Sequence, residues 1–359
     1  MTIPGTYIHT SKNIYIKDNI LYGELKNIEG NYVKSSIRIE KNISYYNVNG
    51  YFSTYNLPLG SYLESAKNIR VINNLIYIDL YNSNGDLITN IIPKNEKFIY
   101  HNINGTLTVD IKFNFIKRIN TTKNSIFYSL IKKNNEIIAF GRKYYGKERI
   151  IKKIKLDENF DIIEDNDIYL KGEDPRCFEY NNKIYVLDNY SDDMFLIDYE
   201  NKKYIKINIS GKNISFINHN NTLYFIHYMK PFELYTFDIE TENILKIDVN
   251  NEHIQNYQYR GGTPGYKLSE NQYYGFGHKT YTENNILKHD IFKWIVDFED
   301  KKLPKITHFD IIQPINSKNI CDPTSVIEIN NKKYLISAES EESWVHEQDY
   351  ITNVYEIIE

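Results

Sequence analysis

The stretch GEDPRCFEYNNKIYVLDNY, residues 172–190, decides how the chain is read. Asn181 and Asn182 stand between two apolar alternating runs, CFEY before them and KIYVLD after them. Alternation of period two marks strands with one buried face, and a short polar pair between two such runs marks a hairpin turn. The beginning of the stretch is less ordinary. Glu173, Asp174 and Arg176 bracket Pro175 at the mouth of the hairpin. A charged turn with Asp before Pro is one reading. A catalytic acid fixed at the end of a sheet is the other.

A polar turn leading into an alternating strand occurs five times: NNEIIAFGRKYY (134–145), NNKIYVLDNY (181–190), NNTLYFIHYM (220–229), ENQYYGFGHKTY (270–281) and NNKKYLISAESEES (330–343). The intervals of roughly 40 to 60 residues suit a blade of four short antiparallel strands. No long stretch sustains helical apolar spacing. Residues 111–359 are therefore expected to form a five-bladed β-propeller. The first 110 residues carry a different repeat, in two copies starting at Gly5 and Gly60. Each copy has G-x-Y, a K-N-I step, an alternating strand, a turn at Gly30 or Gly85, and N-x-N-G at Asn47–Gly50 or Asn102–Gly105. The expected fold class is all-β: a small pseudo-symmetric module, 1–110, followed by the propeller, 111–359.

A chain of 359 residues exceeds one ordinary core. Its net charge of -4 and pI near 6.2 give no basic patch, so no nucleic-acid partner is expected. The 33 tyrosines, with many Ile and Asn, fit an AT-rich genome and also suit strands and sugar-stacking surfaces. The two cysteines, Cys177 and Cys321, have neither CxxC nor metal-ligand spacing, which fits a reducing compartment. With no apolar signal segment and no run of 18 apolar residues, a cytoplasmic protein without a membrane partner is expected. No metal is expected: ESEESWVHEQD (339–349) reads as a solvated acidic loop without the regular spacing of a Ca²⁺ site. RGGTPG (260–265) lacks the GK[ST] step and following helix of a phosphate loop.

In a propeller the inner strands converge on a funnel, so functional side chains recur at strand starts and ends. Arg142, Glu173, Asp174, Arg176, Lys212, Arg260, His278 and Asp322 occupy such places. Guanidinium forks bind phosphate, and a carboxylic acid can protonate a glycosidic oxygen, so the set suits an anionic or sugar substrate. Each also has a plainer reading: Arg176 as a structural partner of Glu173 or Asp174, Lys212 as a solvated turn lysine, His278 as a satisfied strand-end histidine.

Two resemblances sharpen these expectations. GSYLESAKNIRV and HNINGTLTVD make residues 4–110 similar to the cyanovirin-N homology family of mannose-binding lectins. The family's half-cystine positions correspond here to Ser11 and Leu25, then Ala66 and Leu80, so apolar packing must replace the crosslinks. By that resemblance Thr6, Thr10 and Asn102 would form one sugar site, and Asn47, Asn49, Ser65 and Asn82 the other. GEDPRCFEYNNKIYVLD, RGGTPGYKL…YYGFGH and DPTSVIEINNKKYLIS make residues 115–350 resemble the β-mannoside phosphorylases and their glycosyltransferase relatives. The resemblance implies Asp174 as general acid and inorganic phosphate held by Arg142, Lys212 and His278. Arg176 and Arg260 would orient sugar or phosphate, or brace Asp174, and the chemistry would proceed with inversion. It implies no cofactor beyond phosphate or a nucleotide sugar such as GDP-mannose as co-substrate, and a mannose-containing glycan as partner. The chain departs from the pattern at ISAESEES, where Glu341 stands near an expected aspartate, and at GKNISF, which lacks a tryptophan. Phosphorolysis, mannosyl transfer, hydrolysis and a non-catalytic glycan-binding role all stay open at this point.

Overall fold

A computed structural model of the protein describes residues 6–27, 30–40, 44–48, 50–54, 62, 66–72, 75–82, 84–93, 100–103, 106–109, 111–121, 125–145, 148–188, 194–211, 213–250, 258–298, 303–311, 318–341 and 350–358. Regular structure in these residues is strand, apart from one 3-10 turn at Thr6–Thr10. No helix among them is long and apolar enough to cross a membrane. The chain divides into two compact units, Met1–Asp110 with Glu359, and Ile111–Ile358.

The first unit repeats itself at the level of backbone geometry. Strands Ser11–Lys17, Ile20–Lys26 and Tyr32–Arg38 form one antiparallel sheet; Ala66–Ile72, Leu75–Tyr81 and Leu87–Pro93 form another. The K-N-I step is a β-bulge in each: pairing slips between Lys12 and Tyr15 and again between Lys67 and Arg70, with Asn13 at φ 53° and Asn68 at φ 51°. Asn takes this left-handed backbone more readily than most residues. Ser11 lies opposite Leu25 and Ala66 opposite Leu80, and both leucines are fully buried. Leu25 packs with Tyr7, Leu21, Tyr45 and Phe52, so apolar contact stands where a crosslink would.

The second unit is built from hairpins whose turns are Asn pairs. Asn134–Asn135, Asn181–Asn182, Asn220–Asn221 and Asn330–Asn331 each have both φ angles between 49° and 63°. That is the backbone of a two-residue hairpin turn matched to strand twist. The fourth expected turn, at residues 270–271, is different. The left-handed pair in that sheet is Asn284–Asn285, which joins the second and third strands, Gln272–Glu283 and Ile286–Asp297. Residues 268–271 instead fold through amide bonds from Leu268 and Ser269 to the Gln272 carbonyl.

Three four-stranded antiparallel sheets run in chain order: Ser125–Lys133 to Ile162–Lys171, Arg176–Tyr180 to Lys203–Ile207, and Ser215–His219 to Asn243–Ile247. A larger sheet contains two more such groups. One is Tyr259–Arg260 and Tyr266–Lys267 against Gln272–Glu283, then Ile286–Asp297 and Lys305–Ile311. The other is Ile320–Ile329, Lys332–Ser340 and Ile351–Ile358, completed by Lys112–Ile119 from the start of the unit. A single parallel contact, His289 against Ile320, joins the two.

Buried side chains stack consecutive groups face to face. Phe140 and Ile151 meet Val186 and Ile197; Leu196 meets Phe216 and Phe225; Ile226 and Leu234 meet Phe292 and Trp294; Leu130 and Ile137 meet Ile327 and Val354. Each such side chain contributes about 1.5–3 kcal/mol relative to exposure. The first strands are also tied together: the Ser129 hydroxyl donates to the Thr324 carbonyl at 3.2 Å, and the Cys177 amide donates to the Ser129 hydroxyl at 3.1 Å. This is the layout of a β-propeller, in which first strands meet at the axis.

Both cysteines are free and buried. Burial pushes the Cys177 thiol up to about 12 and raises Cys321 well above its ordinary value. Since the thiolate is the reactive form, a thiol reagent at pH 8 is expected to find no fast-reacting cysteine in the native chain. Two are expected after denaturation; fast labelling of the native chain would contradict this packing.

Candidate functional site

In the four groups whose first hairpin turns on an Asn pair, the starts of the first strands and the ends of the second strands lie at one end of the sheet, opposite that turn. Strand register therefore gathers charge there. Arg142 pairs with Ile126 across the first hairpin, Arg176 with Leu187 across the second, and Arg260 with His278 in the fourth group. Asp322 lies near the start of the fifth group's first strand.

Asp174 sits at φ 43° although it precedes a proline, a position that ordinarily favours extended backbone. Such a conformation costs on the order of 1–3 kcal/mol and is held by its surroundings. Those surroundings are specific. Arg142 Nη1 lies 2.7 Å from Asp174 Oδ1 and 3.0 Å from Glu173 Oε1. Arg149 takes the other oxygen of Glu173, and the Glu173 amide donates to Asp188 Oδ1 at 2.7 Å. The Arg142 guanidinium is covered by the rings of Phe127 at 5.0 Å and Tyr144 at 5.1 Å. Phe127 is itself left-handed, at φ 55°, in a bulge of the first strand.

Arg176 is buried and holds the turn: its Nε donates to the Gly262 carbonyl at 2.9 Å, and its Nη1 to the Asp174 and Pro175 carbonyls. Arg260 is exposed. Neither has a carboxylate in ion-pair contact among the described residues, so two guanidinium charges stay uncompensated by direct pairing. His278 is buried at 2% exposure. Desolvation pulls its imidazole down to about 3, against the nearby Asp322 carboxylate and helped by His289, Arg260 and Arg176. Asp322 Oδ1 lies 2.6 Å from His289 Nδ1 and 3.5 Å from His278 Nδ1. Despite burial, these histidines and Arg176 hold the Asp322 carboxyl below its usual range. Tyr350 packs on Phe127 at 4.8 Å; burial first, then Asp322 and Asp174, push its phenol up.

The motif RGGTPG acquires a packing explanation. A Cβ on Gly261 would lie 2.0 Å from the Asn213 carbonyl oxygen, and one on Gly262 2.7 Å from that of Phe276. These glycines let the segment carrying Arg260 pass between neighbouring backbones. Gly261→Ala is expected to cost about 1–3 kcal/mol through forced backbone movement, read as a lowered urea midpoint. An unchanged midpoint would refute the close approach.

No family model and no curated protein matches the chain. Solved structures do. A thermostable family-43 glycoside hydrolase matches with TM-score 0.49 and 14% identity, covering 68% of this chain and 92% of that one. A structure from work on GH130 mannoside phosphorylases, described as containing hydrolases of β-1,2 mannosidic linkages in Candida mannan, gives TM-score 0.47 and 10% identity over 66% and 84% of the two chains. MPT-4, a mannose phosphorylase from Leishmania mexicana with phosphate bound, gives 0.46 and 10% over 68% and 86%.

The positions of the expected residues differ in kind. Asp174, Glu173, Arg142 and Arg176 form one cluster; His278 and Asp322 form another, and Arg260 pairs in register with His278. Arg142 and Glu173, expected to touch phosphate or sugar, are engaged with each other and with neighbouring charges. Lys212, Asn49 and Ser65 lie outside the described residues, as does the side chain of Thr6. Asn47 donates to Thr10 Oγ1 at 2.8 Å and to the Lys26 carbonyl at 2.9 Å, and accepts from the Gly50 amide. Asn102 donates to the Tyr81 carbonyl, while Asn82 braces its own turn through Asn84 and Asp86. These three carboxamides make intramolecular hydrogen bonds within the first unit. Arg149, Asp188, His289, Phe127 and Tyr350 were not foreseen. For His289 a signal existed: the Asn284–Asn285 turn sets a register that puts it diagonal to His278 on the same face.

A cavity of about 530 Å³ lies toward the Asn-Asn end of the first strands, lined by Leu130, Phe178, Phe216, Tyr266, Val326 and Glu328 among others. It contains none of the charged cluster around Asp174, so volume and chemistry point to different ends. Among the described residues the buried carboxylates, guanidiniums and imidazole named above gather around Asp174 and Asp322, which makes that end the candidate site.

Proposed function

We propose that the chain is an inverting carbohydrate-active enzyme acting on mannosides, either a mannoside phosphorylase or a mannosyltransferase. The observation that carries this reading is Asp174. It is held by Arg142 in a strained, buried turn, in the same charged end as Arg176 and Arg260, neither of which is in direct ion-pair contact with a carboxylate among the described residues. In phosphorolysis, the Asp174 carboxyl gives its proton to the departing glycosidic oxygen. A phosphate oxygen forms the new bond to the anomeric carbon from the opposite face. Arg176 and Arg260 offset the phosphate charge, and neutral His278 can donate an N–H. With GDP-mannose as donor, the diphosphate takes the place of phosphate and Asp174 removes the acceptor's proton. No metal or organic cofactor enters either scheme.

The repeated first unit is proposed to recognise mannose-containing glycan. It would raise the local concentration of substrate through its covalent link to the catalytic unit. Asn47, Asn82 and Asn102 remain candidates for that recognition beside their intramolecular hydrogen bonds.

Incubation with mannose 1-phosphate or GDP-mannose and a mannose acceptor tests the enzyme reading. Extended mannoside from either donor supports it and identifies the co-substrate. Free mannose released from a mannoside without phosphate would make the chain a hydrolase. No product from either donor, together with glycan binding unchanged in Asp174→Asn, would leave a non-catalytic binding protein.

A further inference from the structure

His278 and His289 sit on adjacent strands of one hairpin, diagonal to one another, with rings stacked at 4.6 Å and 19°. Asp322 comes from the neighbouring group, next to the one parallel contact that joins the two groups. Each of the three offers one ligand atom, and these atoms all lie within 4.8 Å of one another. Among the described residues this is the one such grouping of His, Cys, Asp and Glu. We infer that His278, His289 and Asp322 form a binding site for a single divalent transition-metal cation of the zinc class.

The geometry fits such an ion. Bonds of about 2.0–2.2 Å to nitrogen and oxygen put neighbouring ligand atoms roughly 3–3.5 Å apart. The Nδ1 atoms of His278 and His289 approach the same Asp322 oxygen at 3.5 and 2.6 Å, so an ion would require the shorter contact to open by about 0.4–0.9 Å. Neither nitrogen of His278 has a hydrogen-bond partner among the described residues, although the side chain is buried. An unsatisfied buried polar group is costly, and a cation at Nδ1 would satisfy one of the two while leaving Nε2 as a donor. Two imidazoles with one carboxylate suit zinc-class ions, whereas Ca²⁺ and Mg²⁺ prefer oxygen ligands. Three protein ligands leave an open coordination position. Arg176 and Arg260 oppose a cation here, and the ionised Asp322 offsets them. The competing explanation is a structural ion pair between Asp322 and His289.

The inference rests on this geometry and not on the mannoside reading. Its test uses the untagged full chain, stripped with chelator and titrated calorimetrically with Zn²⁺, then with Ca²⁺ and Mg²⁺. One equivalent of Zn²⁺ is expected, with much weaker Ca²⁺ and Mg²⁺ binding. His289→Ala and Asp322→Asn are expected to lower zinc affinity by at least about tenfold, since even outer partners of metal ligands are worth 10–100-fold. His289 is partly exposed and tolerates replacement better than the buried His278; a native-like circular dichroism spectrum of each variant establishes that it folds. Absence of one-equivalent zinc binding, or unchanged affinity in both folded variants, would overturn the site. Neither result depends on mannoside turnover.

Discussion

Asp174→Asn is expected to lower turnover by about 10²–10⁴-fold, the usual contribution of a positioned general acid or base, while the protein stays folded. The substitution is clean for a conformational reason. Asn occupies left-handed backbone at least as readily as Asp, so the φ 43° turn before Pro175 has no cause to move. The amide keeps the shape of the carboxyl and removes its capacity to deliver or accept the reacting proton. Arg142 retains Glu173 as a partner at 3.0 Å, so no guanidinium is stranded. The check is kcat on the best donor–acceptor pair beside a thermal melt. Turnover within tenfold of the parent, with an unchanged melt, would remove Asp174 from the chemistry.

Arg142→Leu should be the most destabilising single change at the site, by about 3–5 kcal/mol, the cost of removing one partner from a buried ion pair. All three side chains are under a tenth exposed, and Nη1 of Arg142 is shared by Glu173 and Asp174. Without it two neighbouring carboxylates face each other. Arg149 reaches only Glu173, and its own side chain is more than a third exposed. For a unit of this size the loss corresponds to roughly 10 °C in Tm. Adding Asp174→Asn to Arg142→Leu should recover part of it, because one of the two charges is then gone. A melt unchanged by Arg142→Leu would mean that water already screens the cluster.

Much of this architecture was legible because short-range chemistry writes it. Asn-Asn pairs are constrained by turn geometry, and four of the five foreseen turns have the left-handed backbone such a pair supplies. The fifth was misplaced by a hairpin. Residues 270–271 resemble the pattern, but Asn284–Asn285 carries the conformation. The charged mouth at Glu173–Arg176 was visible as an oddity of composition. Who pairs with whom was not. Arg149 and Asp188 reach Glu173 from strands 24 and 15 residues away, and no local periodicity encodes that convergence. Asp322 and His289 are likewise brought together by tertiary contact. In the first unit the repeat was readable, but Asn47 and Asn102 look the same in sequence whether they meet a ligand or a neighbouring carbonyl.

The strand Lys112–Ile119 completes the last group by pairing with Ile351–Ile358, Lys112 opposite Ile358. During synthesis the first of these strands leaves the ribosome nearly 240 residues before its partner. Three intervening sheets can form from local hairpins, whereas this closure must wait for the final segment and bear the entropy of a very long loop. The larger unit is thus a clasp fastened last, and until then Lys112–Ile119 has an open edge that invites mispairing.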